Sequence, residues 1–465
     1  MKNILTVAFA ALAMLFAGCS KWNGEHHDIS TYVSPPAHPI SDAAPLCGSI
    51  KGTMLAGKTY ILGCDVTINA GDTLIIQPGV TIYADRTAKS GVIVQGTLLS
   101  LGTRTNPITF TVKGVKKTDA VGVNSVTDSA YYGFWKGIMG GPSCPLMVFK
   151  WTHIDFAGAA YGTAGAAVGQ VAKTSFSMLF QNYKGVFVFE DSWLYGATDD
   201  AMRISNGKIA VFRSTFEKCG PAGGDCVNVK GGTVGTMAYN FFIGTATNAQ
   251  KASNKGAPVG SSETNIVMYN GTFVSCGWRS SADLKGANIN YEEGASGMFY
   301  NNVNVNCRVG FRVVGNPPAD FANLKYGYNF NYGDNLHSLQ NIYPLGNNTQ
   351  PQPTDIPTPS SFLPANYALG DPISVASVTP LIGANNPMFV NFPLPIPSGT
   401  NAIDYSAIGN FDFHLQASSP LRGKGYTAVV PLIVVPIDPN YGLTEATPPG
   451  ADLGCYQFNG TGNQH

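Results

Sequence analysis

Residues 186–216 read VFVFEDSWLYGATDDAMRISNGKIAVFRSTF, and two runs in this stretch, VFVF and KIAVF, alternate as half-buried strands do. Gly, Asn, Asp and Thr separate the runs, and these residue types favour turns. The unit recurs. FEDSW from Phe189 is followed by FRSTF from Phe212, YNFFI from Tyr239, YNGTF from Tyr269 and YNNVN from Tyr300, at intervals of 23, 27, 30 and 31 residues. FKWTHI from Phe149 is a further copy. Self-similarity at this period marks a solenoid or a propeller. A propeller blade needs four strands and roughly 40 residues or more, so these units are too short for one. Short strands with Gly and Asn between them suit a parallel β-helix, about three strands to a coil, with successive coils stacked in register. Asn240, Asn270 and Asn301 each follow the aromatic. They predict a structural Asn ladder at a left-handed turn.

The first third has the same character. INAGDTLIIQPGVTIYAD (68–85) and GVIVQGTLLSLGTRTNPITFTV (91–112) resemble the opening coils of right-handed parallel β-helix proteins of the pectate-lyase-like superfamily. Pro78-Gly79, Gly96-Thr97-Leu98 and Asn106-Pro107-Ile108 carry the resemblance. NNPMFVNF (385–392), FDFHLQASSPLRGKGY (411–426) and GADLGCYQF (450–458) resemble the closing segment of bacterial members. The likeness covers residues 60–315 and 385–458. It implies an all-β chain with a right-handed parallel β-helix over 47–335. A Pro-rich loop or insertion, containing NNTQPQPTDIPTPSS (347–361), occupies 336–400. A closing segment over 401–465 packs on the last coils and caps the exposed strand edges. The superfamily hosts lyases, hydrolases, epimerases and adhesins, so the fold alone gives no function.

The chain begins MKNILTVAFAALAMLFAGCSK. Lys2 is a short basic region, and Ile4–Phe16 is an apolar run too short for a span of ~20 residues. Small residues lead into Cys19, which resembles the lipidated cysteine of a bacterial lipoprotein signal occupying 1–18. Ser20 and Lys21 resemble export tags of Bacteroidetes-type surface lipoproteins. Residues 19–46 read as the lipidated Cys and a flexible tether, with a reach of roughly 30 Å. His26, His27 and Asp28 offer three ligands in this tether and no fourth, so no metal site is expected there.

Basic and acidic residues balance at 28 each, so nothing points to the basic face that nucleic acid usually demands. The expected membrane contact is the lipid on Cys19, at the outer membrane or cell surface. Nine cysteines less Cys19 leave an even number, which permits disulfides in an exported chain. Cys219 and Cys226 bracket one loop, while Cys47 with Cys64 and Cys276 with Cys307 fit the repeat spacing.

Three kinds of residue bear on function. Asp199 and Asp200 precede Arg203 in TDDAMRIS, and Asp225 follows 25 residues after Asp200 in GGDCVNVKGG. Glycosidases use two carboxyl groups, and the pattern superficially resembles polygalacturonases. It departs from them: one Asp stands at 224–226 where they have two, VGTMAYNFF lacks their Gly-His-Gly, and no Arg-Ile-Lys follows. The same aspartates read better as turn formers ahead of the strands AMRI and CVNV. A lyase would need a base and a cation for the uronate carboxylate. Arg203, Lys230, Arg279 and His153 are candidates, with Ca²⁺ as the cofactor in that case and none otherwise. Trp278 beside Arg279 is a loop candidate for stacking on a sugar. Phe134 and Trp135 in YYGFWKG (131–137) alternate with glycine as core residues do. Glu292 and Glu293 are a loop acid pair with no evident partner. The leading expectation is a lipid-anchored surface β-helix that binds glycan or another macromolecule without catalysis. A polysaccharide lyase or glycoside hydrolase for an acidic polymer, and a structural adhesin, are the alternatives.

Overall fold

The computed structural model describes residues 38–117, 126–170, 176–281, 285–342, 379–396, 411–435 and 447–465. The leader, Cys19, the three-ligand tether segment and most of 336–400 lie outside them. No described helix is long and apolar enough to cross a membrane.

The chain coils through three parallel ladders. Val186–Glu190 lies on the first, Trp193–Ala197 on the second and Met202–Ser205 on the third; Lys208–Phe212 then returns to the first ladder beside Val186–Glu190. The first ladder holds ten strands, from Gly52–Met54 to Leu324–Gly327. The second runs to Phe330–Tyr332 and the third to Val309–Val313. Thr59–Ile68 passes through both, pairing with Thr81–Ala84 at its start and with Gly91–Val94 at its end. This is the parallel β-helix that the repeat predicts.

Inward side chains fill the coils. Phe216, Phe242 and Phe273 stack one above another with ring centroids 4.8 and 5.1 Å apart, all fully buried. That spacing is the strand separation of a sheet, ~4.8 Å, repeated by the side chains.

The corner between the first and second ladders explains the two-residue breaks in the repeat. Asp191, Arg213, Tyr239, Asn270, Asn301 and Tyr328 all take positive φ there. The next residue supplies an acceptor to the coil before it: Ser214 Oγ accepts the Ser192 N–H, Asn240 Oδ1 the Ser214 N–H, and Asn329 Oδ1 the Asn302 N–H. Asn240 therefore belongs with Ser214 and Asn302, while Asn270 and Asn301 stand at the left-handed position one residue earlier. The three asparagines thus do not form one ladder: the Asn301 amide donates to Asn270 at 3.4 Å, while Asn240 stands in the other column. Strand pairing aligns Glu190, Phe212, Ala238, Tyr269 and Tyr300. Aligning the copies on their aromatics misplaces Phe189 and Tyr239 by one residue.

The end of the helix is closed by Leu336–Gln340, whose Leu339 joins the core together with Ile342. The closing segment lies instead along the flank. Tyr239 and Tyr269 hydroxyls donate to the Pro448 and Thr447 carbonyls, and the Asn270 amide donates to the Asp452 carbonyl at 2.8 Å. Phe413 and Tyr456 pack on Phe241 of the second ladder, and His465 packs on Trp151.

Two disulfides form, Cys47–Cys64 and Cys219–Cys226. Cys276 and Cys307 are buried thiols, which corrects the third pairing. They stand at successive coils, and each thiol donates to backbone carbonyls, Cys276 to Val274 and Cys307 to Phe273.

Candidate functional site

Side chains of the third ladder alternate between core and outer face. In Met202–Ser205, Met202 and Ile204 are buried while Arg203 and Ser205 reach the surface. The register stacks Arg203, Asn228, Lys251, Asn290 and Arg312 on successive coils. Lys230 and Glu292 stand in the neighbouring column, paired with Ser205 and Ser253 respectively. Earlier coils carry Ile93, Met139 and Leu179 at the place of Arg203. Tyr161, Val168 and Phe176 cover them. The Arg203 guanidinium lies 4.3 Å from the Phe176 ring, where this apolar cover stops and the polar face begins.

Asp200 and Asp225 occupy equivalent turns leading into Met202–Ser205 and Val227–Lys230. The turn before Asp225 requires glycine: Gly224 has φ +89°, and a Cβ there would stand 2.3 Å from the Asp199 carbonyl carbon. The Asp225 backbone N–H donates to Asp200 Oδ1 at 2.7 Å. The Asn228 amide donates to both carboxylates, at 3.0 Å to Asp200 and 2.8 Å to Asp225. Arg203 closes an ion pair on Asp200. Asp225 Oδ1 accepts the Thr247 hydroxyl at 2.9 Å and the Asn248 side-chain amide at 2.6 Å. Asp200 and Asp225 are 2% and 8% exposed. So placed, both act as acceptors that fix neighbouring donors.

Lys251 lies 3.5 Å from Asp225 and 2.9 Å from Glu292. Arg312 lies 4.0 Å from Glu292 and donates to Asn290 at 2.8 Å. Beside them opens a cleft of ≈ 430 Å³, lined by Asn248, Lys251, Lys285, Glu292, Arg312 and Asn316 among others. The volume is in the range of small-ligand sites. Among the described residues no group of three His, Cys, Asp or Glu converges as a metal site.

The site's electrostatics separate its members. Burial pushes the Asp200 carboxyl up to about 6; Arg203 opposes this, and Asp225 and Asp199 add to it. Burial acts on Asp225 in the same sense, but Lys251 and the Thr247 and Asn248 hydrogen bonds prevail and hold it below the usual range. Burial would lower Lys251, yet Asp225 and Glu292 keep it above its ordinary value. Lys230 has the opposite balance: burial first, then Arg203 and Lys251, pull its ammonium down.

Comparison with known proteins finds no matching family model, no matching curated protein and no matching solved structure. The geometry therefore carries the assignment.

The structure thus brings together Asp199, Asp200, Asp225, Arg203 and Lys230, while His153 lies on the second ladder. Trp278 and Arg279 lie apart. The half-buried Trp278 donates its indole N–H to the Asn306 carbonyl at 2.7 Å and packs against His337. Arg279 donates to the Gly220 and Gly244 carbonyls at 2.8 and 2.6 Å, fastening successive turns. Burial, with Lys117 and His465, lowers the His153 imidazole to about 3, so it stays neutral. Lys251 and Arg312 escaped the sequence reading. Glu292 has Lys251 as its partner, and Glu293 accepts the Ser253 hydroxyl at 2.8 Å.

Asp200 gives a pH test. Its folded carboxyl holds the proton more tightly than an unfolded Asp near 3.9. Its contribution to stability is present at low pH and is lost as pH rises through about 6. His153 and His465, held neutral by burial, act in the opposite sense over part of the same window. The expected observable is therefore a difference. Between pH 7.5 and 5, wild type should gain about 1.4 kcal/mol relative to Asp200→Asn in urea unfolding, because pH 5 lies about one unit below the folded value. Parallel pH profiles for the two proteins would refute the assignment.

Proposed function

We propose that this chain is an exported β-helix, anchored by lipid at Cys19, that binds a glycan in the third-ladder cleft without cleaving it. The observation that carries this reading is the fixed alternation of donors and acceptors around the cleft. Lys251 is held between Asp225 and Glu292, and Arg312 between Glu292 and Asn290. Side chains locked in this way present hydrogen-bonding groups at little further entropic cost, which suits a polymer of hydroxyls. The buried Asp200 and Asp225 serve this scaffold.

The test is calorimetric titration of the full-length chain with neutral and acidic oligosaccharides. Lys251→Ala should weaken the bound glycan roughly tenfold to a hundredfold, the range for hydrogen bonds to charged groups. Unchanged affinity in Lys251→Ala would sink the cleft assignment.

One observation favours lyase chemistry as a second reading. Lys230, its ammonium destabilised first by burial and then by Arg203 and Lys251, is the kind of amine that abstracts a proton beside a uronate carboxylate. Accumulation of unsaturated uronide absorbance, lost in Lys230→Met, would make this an enzyme.

A further inference from the structure

A second cleft, of ≈ 630 Å³, lies on the outer face of the second ladder at the first coils. Farther along, the closing segment covers that face through Phe413, Tyr456 and His465. Here Ile61 and Tyr83, paired on neighbouring strands, form its floor. Ile61 is 44% exposed. Phe134 forms a wall, braced by the Tyr132 and Phe156 rings at 5.7 and 6.3 Å. Phe134 thus faces a cleft, whereas Trp135 beside it is wholly buried as core.

Cations outnumber acids in the lining of this cleft by two to one. Arg86 lies over the Phe134 ring at 4.9 Å and donates to the Lys113 carbonyl at 3.4 Å. A guanidinium stacked on a ring keeps its in-plane N–H donors directed outward and partly ordered, as two-pronged carboxylate recognition requires. Lys113 adds a second cation at the rim. Asp85 is the acid of the lining, and its Oδ1 accepts the Thr87 and Ala88 N–H groups at 2.7 and 2.9 Å. An apolar floor, an aromatic wall and two cations fit a ring that is apolar on its face and anionic at its edge.

We infer that this cleft is a second glycan subsite, one that takes a uronic acid residue with its carboxylate on Arg86 and Lys113. The inference rests on the glycan-binding reading and narrows its substrate class to carboxylated polymers. The subsite and the third-ladder cleft stand on different ladders, so one long chain would have to wrap the helix to reach both.

Calorimetric titration of the full-length chain with tetragalacturonate, and with maltotetraose as the neutral counterpart, separates the two sites. Arg86→Ala with Lys113→Ala should weaken one class of tetragalacturonate sites roughly tenfold to a hundredfold. It should leave any maltotetraose binding unchanged. Phe134→Leu, which keeps the apolar contact with Phe156 but removes the ring, should weaken the same class. Tetragalacturonate binding that persists at full strength in the double variant overturns the subsite. If that binding is lost in Lys251→Ala, the third-ladder reading stands alone. Binding lost in the Arg86 and Lys113 variants and untouched in Lys251→Ala upholds the subsite and refutes the third-ladder cleft. No binding of either sugar overturns both. A dimer dissociated by Phe134→Leu, with no sugar bound, would assign the face to a second copy and overturn the subsite.

Discussion

Phe242→Ala is expected to lower stability by about 3–5 kcal/mol, the range for truncating a fully buried aromatic side chain. Phe242 sits between Phe216 and Phe273 in a stack whose planes differ by 7° and 9°. Truncation removes a ring with neighbours on both faces. The cavity cannot close by collapse, because backbone hydrogen bonds of the ladder hold the coils above and below. Phe241–Ile243 pairs with Thr215–Cys219 on one side and with Thr272–Val274 on the other. Phe242→Leu, which refills most of the volume, should recover over half of the loss. Guanidinium unfolding monitored by far-ultraviolet circular dichroism would read both variants. A loss below about 1 kcal/mol for the alanine variant would mean that the aromatic column does not hold the coils together.

That column was legible in the sequence as repetition, since Phe216, Phe242 and Phe273 fall within the recurring copies FRSTF, YNFFI and YNGTF. The coil boundaries were less so. A two-residue corner needs one left-handed residue, and Asp191, Arg213, Tyr239 and Asn270 all fill that place. Only Asp and Asn among them carry a compositional hint, so aromatics drew the alignment one position out. The polar face shows the same limit. Asp199, Asp200 and Asp225 stood out because adjacent turns repeat them. Lys251 and Arg312 are single charged residues inside short strands, which read as any solvated face does. Arg203, Asn228, Lys251, Asn290 and Arg312 come together only through register. The coils between them differ in length by whole loops, as between Lys251 and Asn290. No fixed period could have aligned them. The second-ladder cleft was hidden for a further reason. Phe134 and Trp135 are sequence neighbours of similar character, and one is wholly buried while the other lines an open face.

Asp225→Ala should be the most damaging change in the site, costing about 3–5 kcal/mol and abolishing glycan binding in the third-ladder cleft. The carboxylate is an acceptor for Thr247, Asn248 and Asn228 and the ion partner of Lys251. Removing it leaves buried donors without an acceptor and a mostly buried ammonium short of one counter-charge, the circumstance in which breaking a buried pair costs most. Asp225→Asn should be little better, because its amide nitrogen would face the Asn228 amide or Lys251 as donor against donor. The pH dependence has the opposite sign to that of Asp200. The folded Asp225 carboxyl is held below its ordinary value by Lys251 and its hydrogen bonds, which outweigh burial. Its contribution is therefore present above about pH 4 and is lost as acid protonates it. Wild type should lose stability below pH 4 more steeply than Asp225→Ala, and the gap between the two unfolding curves should narrow. If Asp225→Ala folds with wild-type stability and still binds glycan, Asp225 is a turn residue alone, and the donors around the cleft owe their positions to something else.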